Sequence, residues 1–184
     1  MKLLSTPGSI IPNPQRILYC YAEWQPAYQK LSGNVEFVKG LPADILSKLD
    51  GSLRTLIILD DLMMESSSNK EITSLFVRGT HHKNASVILV CQNFFEKGLR
   101  TVSLNSHYII LFFSPRDQQQ IASLARQLYP KNKSQFLVEA YNDATSSSGH
   151  SYLFLDLKQT THKDLRVKTN VFRENNFPPI VYTP

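Results

Sequence analysis

Cysteine is scarce in this chain, two in 184 residues, and both Cys20 and Cys91 lie inside apolar runs. So few leave no room for a disulfide-dense scaffold and read instead as buried free thiols in a reducing compartment. Glycine is scarce as well. The seven are Gly8, Gly33, Gly40, Gly51, Gly79, Gly98 and Gly149, and none is followed by Lys. The phosphate-cradling pattern G-x-x-x-x-G-K-[ST] is therefore absent from the sequence. No apolar run reaches the ~18 residues of a membrane-spanning helix. Met1-Lys2-Leu3-Leu4 opens like a signal peptide, but Ser5-Thr6-Pro7-Gly8 cuts its apolar region short. The expectation is an intracellular protein of nucleus or cytoplasm with no membrane association. No internal repeat, low-complexity tract or interdomain linker stands out, so residues 1–184 are expected to form one domain.

What is present is an ordinary globular composition, 42% hydrophobic and 19% charged, in a chain long enough to bury a real core. The net charge of +5 favours an anionic partner such as nucleic acid. Arg126, Lys131 and Lys133 form a modest basic patch, which reads as a solvated face ahead of a DNA contact.

The most informative stretch is Thr55-Leu56-Ile57-Ile58-Leu59-Asp60-Asp61-Leu62. A parallel strand buried on both faces reads as a continuous apolar run. Two carboxylates at its C-terminal end stand where open α/β sheets bind ligands. This is the pattern of a Walker B strand, in which Asp60 would hold Mg²⁺ through water and Asp61 would activate or orient the attacking water. Adjacent carboxylates repel unless a cation neutralises them, and Mg²⁺ suits a hard oxygen site. The plainer alternative is a strand end capped by acids for solubility or for the following turn.

Further strands are expected at Arg16–Tyr21, Val35–Val38, Ser86–Gln92 and Tyr108–Phe113, each an apolar or alternating run. Short helices are expected over Glu23–Leu31, with Pro26 in the first turn, over Pro42–Leu49, and over Lys70–Arg78 with Gly79 as its stop. Glu65–Asn69 reads as a polar loop. Ser114-Pro115-Arg116-Asp117 suits a helix start, after which Ile121, Leu124, Ala125 and Leu128 recur at helical spacing. Phe136 to Ala144 marks another helix, closed by a Ser-rich turn and Gly149. Tyr152–Leu157 and Arg166–Phe172 suggest a C-terminal β-hairpin, and Pro178-Pro179 the end of ordered structure. The alternation of strands and helices through residue 145 gives an α/β class with a mostly parallel sheet flanked by helices.

Other candidates follow from position. Gln92 and Asn93 end the strand after the next crossover, at the same sheet edge as Asp60, where an amide can orient water or sense a terminal phosphate, or simply cap the strand end. Arg100 is a candidate finger for a neighbouring subunit's site, or a solvated surface residue. His81 and His82 follow a helix C-terminus and read as favoured cations before they read as a zinc site. Trp24, Tyr19, Tyr21 and Tyr28 cluster near one strand and read as core packing, with base stacking as the alternative.

The order of these pieces resembles the DNA-packaging ATPases of the FtsK/HerA superfamily, of the poxvirus type carried by Maverick/Polinton elements and related animal DNA viruses. The segments that carry the likeness are Arg16 to Gln25, Leu56 to Met63, Leu75 to Asn84, Ser86 to Asn93, Arg100 to Asn105, Pro115-Arg116-Asp117 and Ala122 to Pro130. Together they run from about residue 14 to the C-terminus. The resemblance implies a P-loop NTPase-like fold of the RecA/ASCE type and a homo-oligomeric ring, virion-associated in the family. The ring would hydrolyse ATP, with Mg²⁺, to move double-stranded DNA into a capsid. It implies Asp60 as the Mg²⁺-side acid, Asp61 as the catalytic one, Gln92 as the sensor and Arg100 as a trans-acting finger. The capsid or host partner is not specified by it. Members of that family place a strand, phosphate loop and helix ahead of the Ile17 strand, and here only Met1 to Leu4 matches the tail of that helix. The expectation is thus an incomplete ATPase-like domain that binds ATP weakly or not at all by itself. The alternative is a non-enzymatic, ATPase-like scaffold that binds nucleic acid or protein.

Overall fold

The computed structural model describes residues 2–5, 8–31, 34–49, 51–62, 66–79, 83–93, 99–130, 133–147, 150–172 and 178–184. His81, His82, Lys131 and Gly149 lie outside the described residues. By internal contacts the chain divides into two compact units, Met1–Asn105 and Ser106–Pro184.

The first unit is a parallel α/β sheet. Its strands are β1 (Arg16–Tyr21), β2 (Val35–Lys39), β3 (Thr55–Asp60) and β4 (Ala85–Val90), in the order β2-β1-β3-β4. All pairings are parallel, with Tyr21 opposite Asp60 and Asp60 opposite Val90. The helices are α1 (Lys2–Ser5), α2 (Ser66–Ser74), which runs into a π-helical turn at Leu75–Gly79, and α3 (Leu99–Asn105). β3 is buried from Thr55 to Leu59, as a two-faced strand must be. Alternation divides its side chains. Ile57 and Leu59 join Leu18, Cys20, Ile45, Leu49, Ile72, Leu75, Leu99 and Val102 on one face. Leu56 and Ile58 join Tyr19 and Tyr28 on the other. Cys20 is fully buried, and burial pushes its thiol up to about 11.

The second unit is a two-layer arrangement of a different kind. Strands β5 (Tyr108–Phe112), β6 (Tyr152–Asp156), β7 (Val167–Thr169) and β8 (Ile180–Tyr182) form an antiparallel sheet in sequence order. Helices α4 (Gln118–Leu128) and α5 (Ser134–Thr145) accompany it, and Leu124, Ala125, Leu137, Tyr141, Leu153 and Leu155 are buried.

The α/β class, the parallel sheet with helices and the β6–β7 hairpin agree with the sequence reading. Several local expectations do not. Tyr108–Phe112 pairs antiparallel with β6, so it extends the hairpin rather than the parallel sheet. Residues 43–48 are a run of turns, not a helix. The Asp44 carbonyl accepts from Ser47 N–H at 2.9 Å and from Ser47 Oγ at 2.7 Å as well as from Lys48 N–H at 3.2 Å, so three donors crowd one acceptor in tight turns. Ile45 and Leu49 are nonetheless buried, so the apolar spacing found the core without a helix. Residues 66–69, expected as loop, open α2. The helix after Ser114 begins later, at Gln118, with Asp117 as N-cap. Ser114 Oγ donates to Asp117 Oδ2 at 2.8 Å across the preceding turn. Pro178-Pro179 does not end the order, because β8 follows and pairs with β7. Glu23–Leu31 contracts to a 3-10 helix at Pro26–Lys30.

Candidate active site

The strand order fixes where a ligand crevice can lie. The chain passes from β1 outward to β2, returns across β1 to β3, and then continues outward to β4. The direction reverses between β1 and β3, and open parallel sheets bind ligands at the carboxyl ends of strands at such a reversal. Tyr21 and Asp60 are the register partners that end β1 and β3 at this point.

Asp60 continues the face of Leu56 and Ile58 and so meets the aromatic cluster. Tyr19 donates its hydroxyl to Asp60 Oδ2 at 2.7 Å, and Tyr28 donates to the same oxygen at 2.8 Å. The two rings lie 4.9 Å apart. Desolvation by burial, followed by the Asp60 hydrogen bond and charge, raises both phenols. Tyr28 reaches about 12, and Tyr19 is raised further. Both are neutral donors at any ordinary pH, so one oxygen of Asp60 is held by two charge-assisted hydrogen bonds. The Asp60 backbone carbonyl accepts from Ala22 N–H at 3.3 Å, which ties the end of β3 to the residue after β1.

Asp61 leaves the strand. Its φ of 55° is left-handed, a region that non-glycine residues seldom enter but that Asp and Asn tolerate best. Its N–H donates to the Val90 carbonyl at 3.2 Å. The turn leaves the carboxylate exposed, and Gln92 Nε2 donates to Asp61 Oδ2 across a long 3.5 Å. The structure therefore brings Asp60, Asp61 and Gln92 together at one edge. Arg100 is not drawn in. It stands exposed at the start of α3, and among the described residues the hydrogen bonds of the acidic pair do not include it. Arg116 is also exposed, in the second unit.

Tyr19 and Tyr28 as partners of Asp60 were not foreseen from the sequence, where they read as core aromatics. They are that too, since Tyr28 is stacked on Phe37 with centroids 5.9 Å apart, and Trp24 packs edge-on against Tyr28 and Phe37. The available signal was parity. Tyr19 and Tyr21 alternate on one face of β1, as Ile58 and Asp60 do on β3.

The donor set suits Mg²⁺. Mg²⁺ takes one or two carboxylates and keeps several waters, and this edge offers an exposed carboxylate beside a partly buried one. Among the described residues no three His, Cys, Asp or Glu converge into a protein cage for a metal. Nor is any described helix long and apolar enough to cross a membrane. Neither a protein-family model, a curated protein nor a solved structure matches this chain.

Proposed function

We propose that this chain carries the acidic half of an ATPase site of the FtsK/HerA type, the kind that couples ATP hydrolysis to movement of double-stranded DNA. The observation that carries the proposal is the Asp60–Asp61 pair at the β1/β3 reversal, with Gln92 reaching Asp61 from the end of β4. In these roles Asp60 holds Mg²⁺ through water, Asp61 orients the attacking water, and Gln92 senses the terminal phosphate. When bound, Mg²⁺ neutralises charge on the β- and γ-phosphate oxygens. Arg100 is exposed, as a finger reaching a neighbouring subunit in a homo-oligomeric ring must be. ATP phosphates need a loop of backbone amides and a Lys, and the sequence has no such motif. This chain by itself is therefore proposed to hold ATP weakly or not at all.

A second reading, an ATPase-like scaffold that binds nucleic acid or protein without turnover, is favoured by one observation. Asp60 Oδ2 already accepts two phenolic hydroxyls, which leaves it less free for a cation.

The test is titration with Mn²⁺ as a paramagnetic stand-in for Mg²⁺, followed by Mg·ATP, on the parent chain and on Asp60→Asn and Asp61→Asn. Mn²⁺ binding that both substitutions weaken supports the acidic half-site. Binding that neither one changes favours the scaffold. Micromolar ATP affinity in the parent chain would refute the dependence on a phosphate loop.

A further inference from the structure

Tyr19 and Tyr28 direct their hydroxyl protons at a single oxygen, Oδ2 of Asp60, from 2.7 and 2.8 Å. A phenol carries one O–H, and each carboxylate oxygen offers two lone-pair positions. The two bonds therefore fill Oδ2. The donors come from different elements, Tyr19 from β1 and Tyr28 from the 3-10 helix Pro26–Lys30, and both are buried, at 5% and 1% exposure. Tyr28 packs against Tyr21, Trp24 and Phe37, with ring centroids 5.7, 5.4 and 5.9 Å away. Tyr19 packs against Tyr28 at 4.9 Å and Phe37 at 5.5 Å. Neither hydroxyl can swing aside without opening this cluster, since close-packed rings have little room to turn.

This occupancy restricts how Asp60 can meet a cation. A carboxylate reaches a metal through one oxygen or through both. With Oδ2 filled, Asp60 has only Oδ1 to offer, directly or through a bound water. Mg²⁺ is small and near-octahedral, takes one or two carboxylates and keeps several waters, so one oxygen suffices. Ca²⁺ is larger, gathers roughly 6–8 oxygens and readily takes carboxylates through both.

We propose that Tyr19 and Tyr28 are positioning residues that set the cation preference of this edge: by filling Oδ2 they hold Asp60 to one-oxygen binding and so favour Mg²⁺ over Ca²⁺. This preference rests on the Mg²⁺ reading of Asp60 above, and it adds a selectivity that two strand-end acids alone do not provide. The phenols also draw charge from the carboxylate as a whole. That effect weakens Mg²⁺ and Ca²⁺ alike, so the signature of the pair is the ratio of the two affinities rather than either one.

The test is competition of Mg²⁺ and of Ca²⁺ against Mn²⁺ on the full chain, read from the electron paramagnetic resonance of free Mn²⁺. The chains are the parent, Tyr19→Phe, Tyr28→Phe and the double variant, each of which keeps the rings. Tyr21→Phe is the control. It removes a phenol from the same cluster, one that among the described residues does not donate to Asp60. A freed Oδ2 gives Ca²⁺ a further ligand that Mg²⁺ has no use for. The Ca²⁺ dissociation constant divided by that of Mg²⁺ is expected to fall about tenfold in the double variant, the scale of one hydrogen bond. It should fall by less in the single variants and stay constant in Tyr21→Phe. A purely structural role would weaken both ions together and leave the ratio alone. An unchanged ratio, with Mn²⁺ binding that Asp60→Asn still weakens, overturns the proposal and leaves the Mg²⁺ reading standing. Absence of Mn²⁺ binding, or binding that Asp60→Asn does not alter, overturns both. If the double variant does not fold, the single variants decide, because losing either donor returns one lone pair to Oδ2 and the ratio must drop.

Discussion

Tyr28 donates its hydroxyl to Asp60 Oδ2 at 2.8 Å from a side chain that is 1% exposed, across 32 residues of sequence. A buried ring thereby joins the 3-10 segment after β1 to the end of β3. Because Tyr19 donates to the same oxygen, the acid at the strand reversal is held from two elements at once.

Tyr28→Phe keeps the ring and removes the donor. A hydrogen bond to a charged group contributes ~1.5–3 kcal/mol, and urea denaturation of Tyr28→Phe should show a loss in that range. Tyr19→Phe should behave alike. The double variant should depart from additivity, since the remaining phenol can tighten on the shared oxygen once the other is gone. Strict additivity would show that the two bonds are independent.

Alkaline pH should loosen the first unit. Both phenols have folded pKa values above their ordinary value, so the stability they contribute is complete below pH ~10, where the unfolded tyrosines are still protonated. It falls as pH rises, because the unfolded state releases these protons first. For Tyr28 the loss is complete near its folded value of about 12. Ultraviolet titration of the folded chain should show a late-ionising set made up of Tyr19 and Tyr28 together with Tyr129 and Tyr182, which burial also raises, and one tyrosine fewer in that set in Tyr28→Phe. Ionisation of every tyrosine together near pH 10 would contradict the clasp.

The turn at Asp61 has its own signature. Its φ of 55° suits Asn or Gly and penalises β-branched residues. Asp61→Asn should therefore leave thermal stability nearly unchanged, whereas Asp61→Val should cost about 1–2 kcal/mol. This makes Asp61→Asn a clean probe of cation binding, because a loss there cannot be ascribed to backbone strain. Equal stability of the Val and Asn variants would count against the left-handed turn.

Much of the fold was legible where apolar runs are long and bounded. β1, β3 and β4 stand out because a two-faced parallel strand carries few polar residues, and α4 because Ile121, Leu124 and Ala125 keep a helical period. The partners of those strands were not legible. Tyr108–Phe112 has the composition of an interior parallel strand, and only its pairing with β6, more than 40 residues away, assigns it to the antiparallel sheet. Pro42–Leu49 has helical spacing, yet so short a segment forms only turns, since a helix nucleus is costly and few residues follow to extend it. In the candidate site, the Asp60–Asp61 dipeptide and Gln92 could be read from strand ends. The phenols on Asp60 required the β1/β3 register, and no local pattern contains it.

Cys20 gives the first unit an internal clock. Its thiol is 0% exposed and pushed up to about 11, so on the order of one molecule in ten thousand carries a thiolate at neutral pH, and that one is shielded. An alkylating reagent should react with half-buried Cys91 first and reach Cys20 only when the layer over β1 opens. The labelling rate of Cys20 in a Cys91→Ser chain would then report how often that layer opens. A substitution in the layer that covers Cys20, such as Ile72→Val, should quicken it, and one confined to the second unit, such as Ile110→Lys, should leave it unchanged.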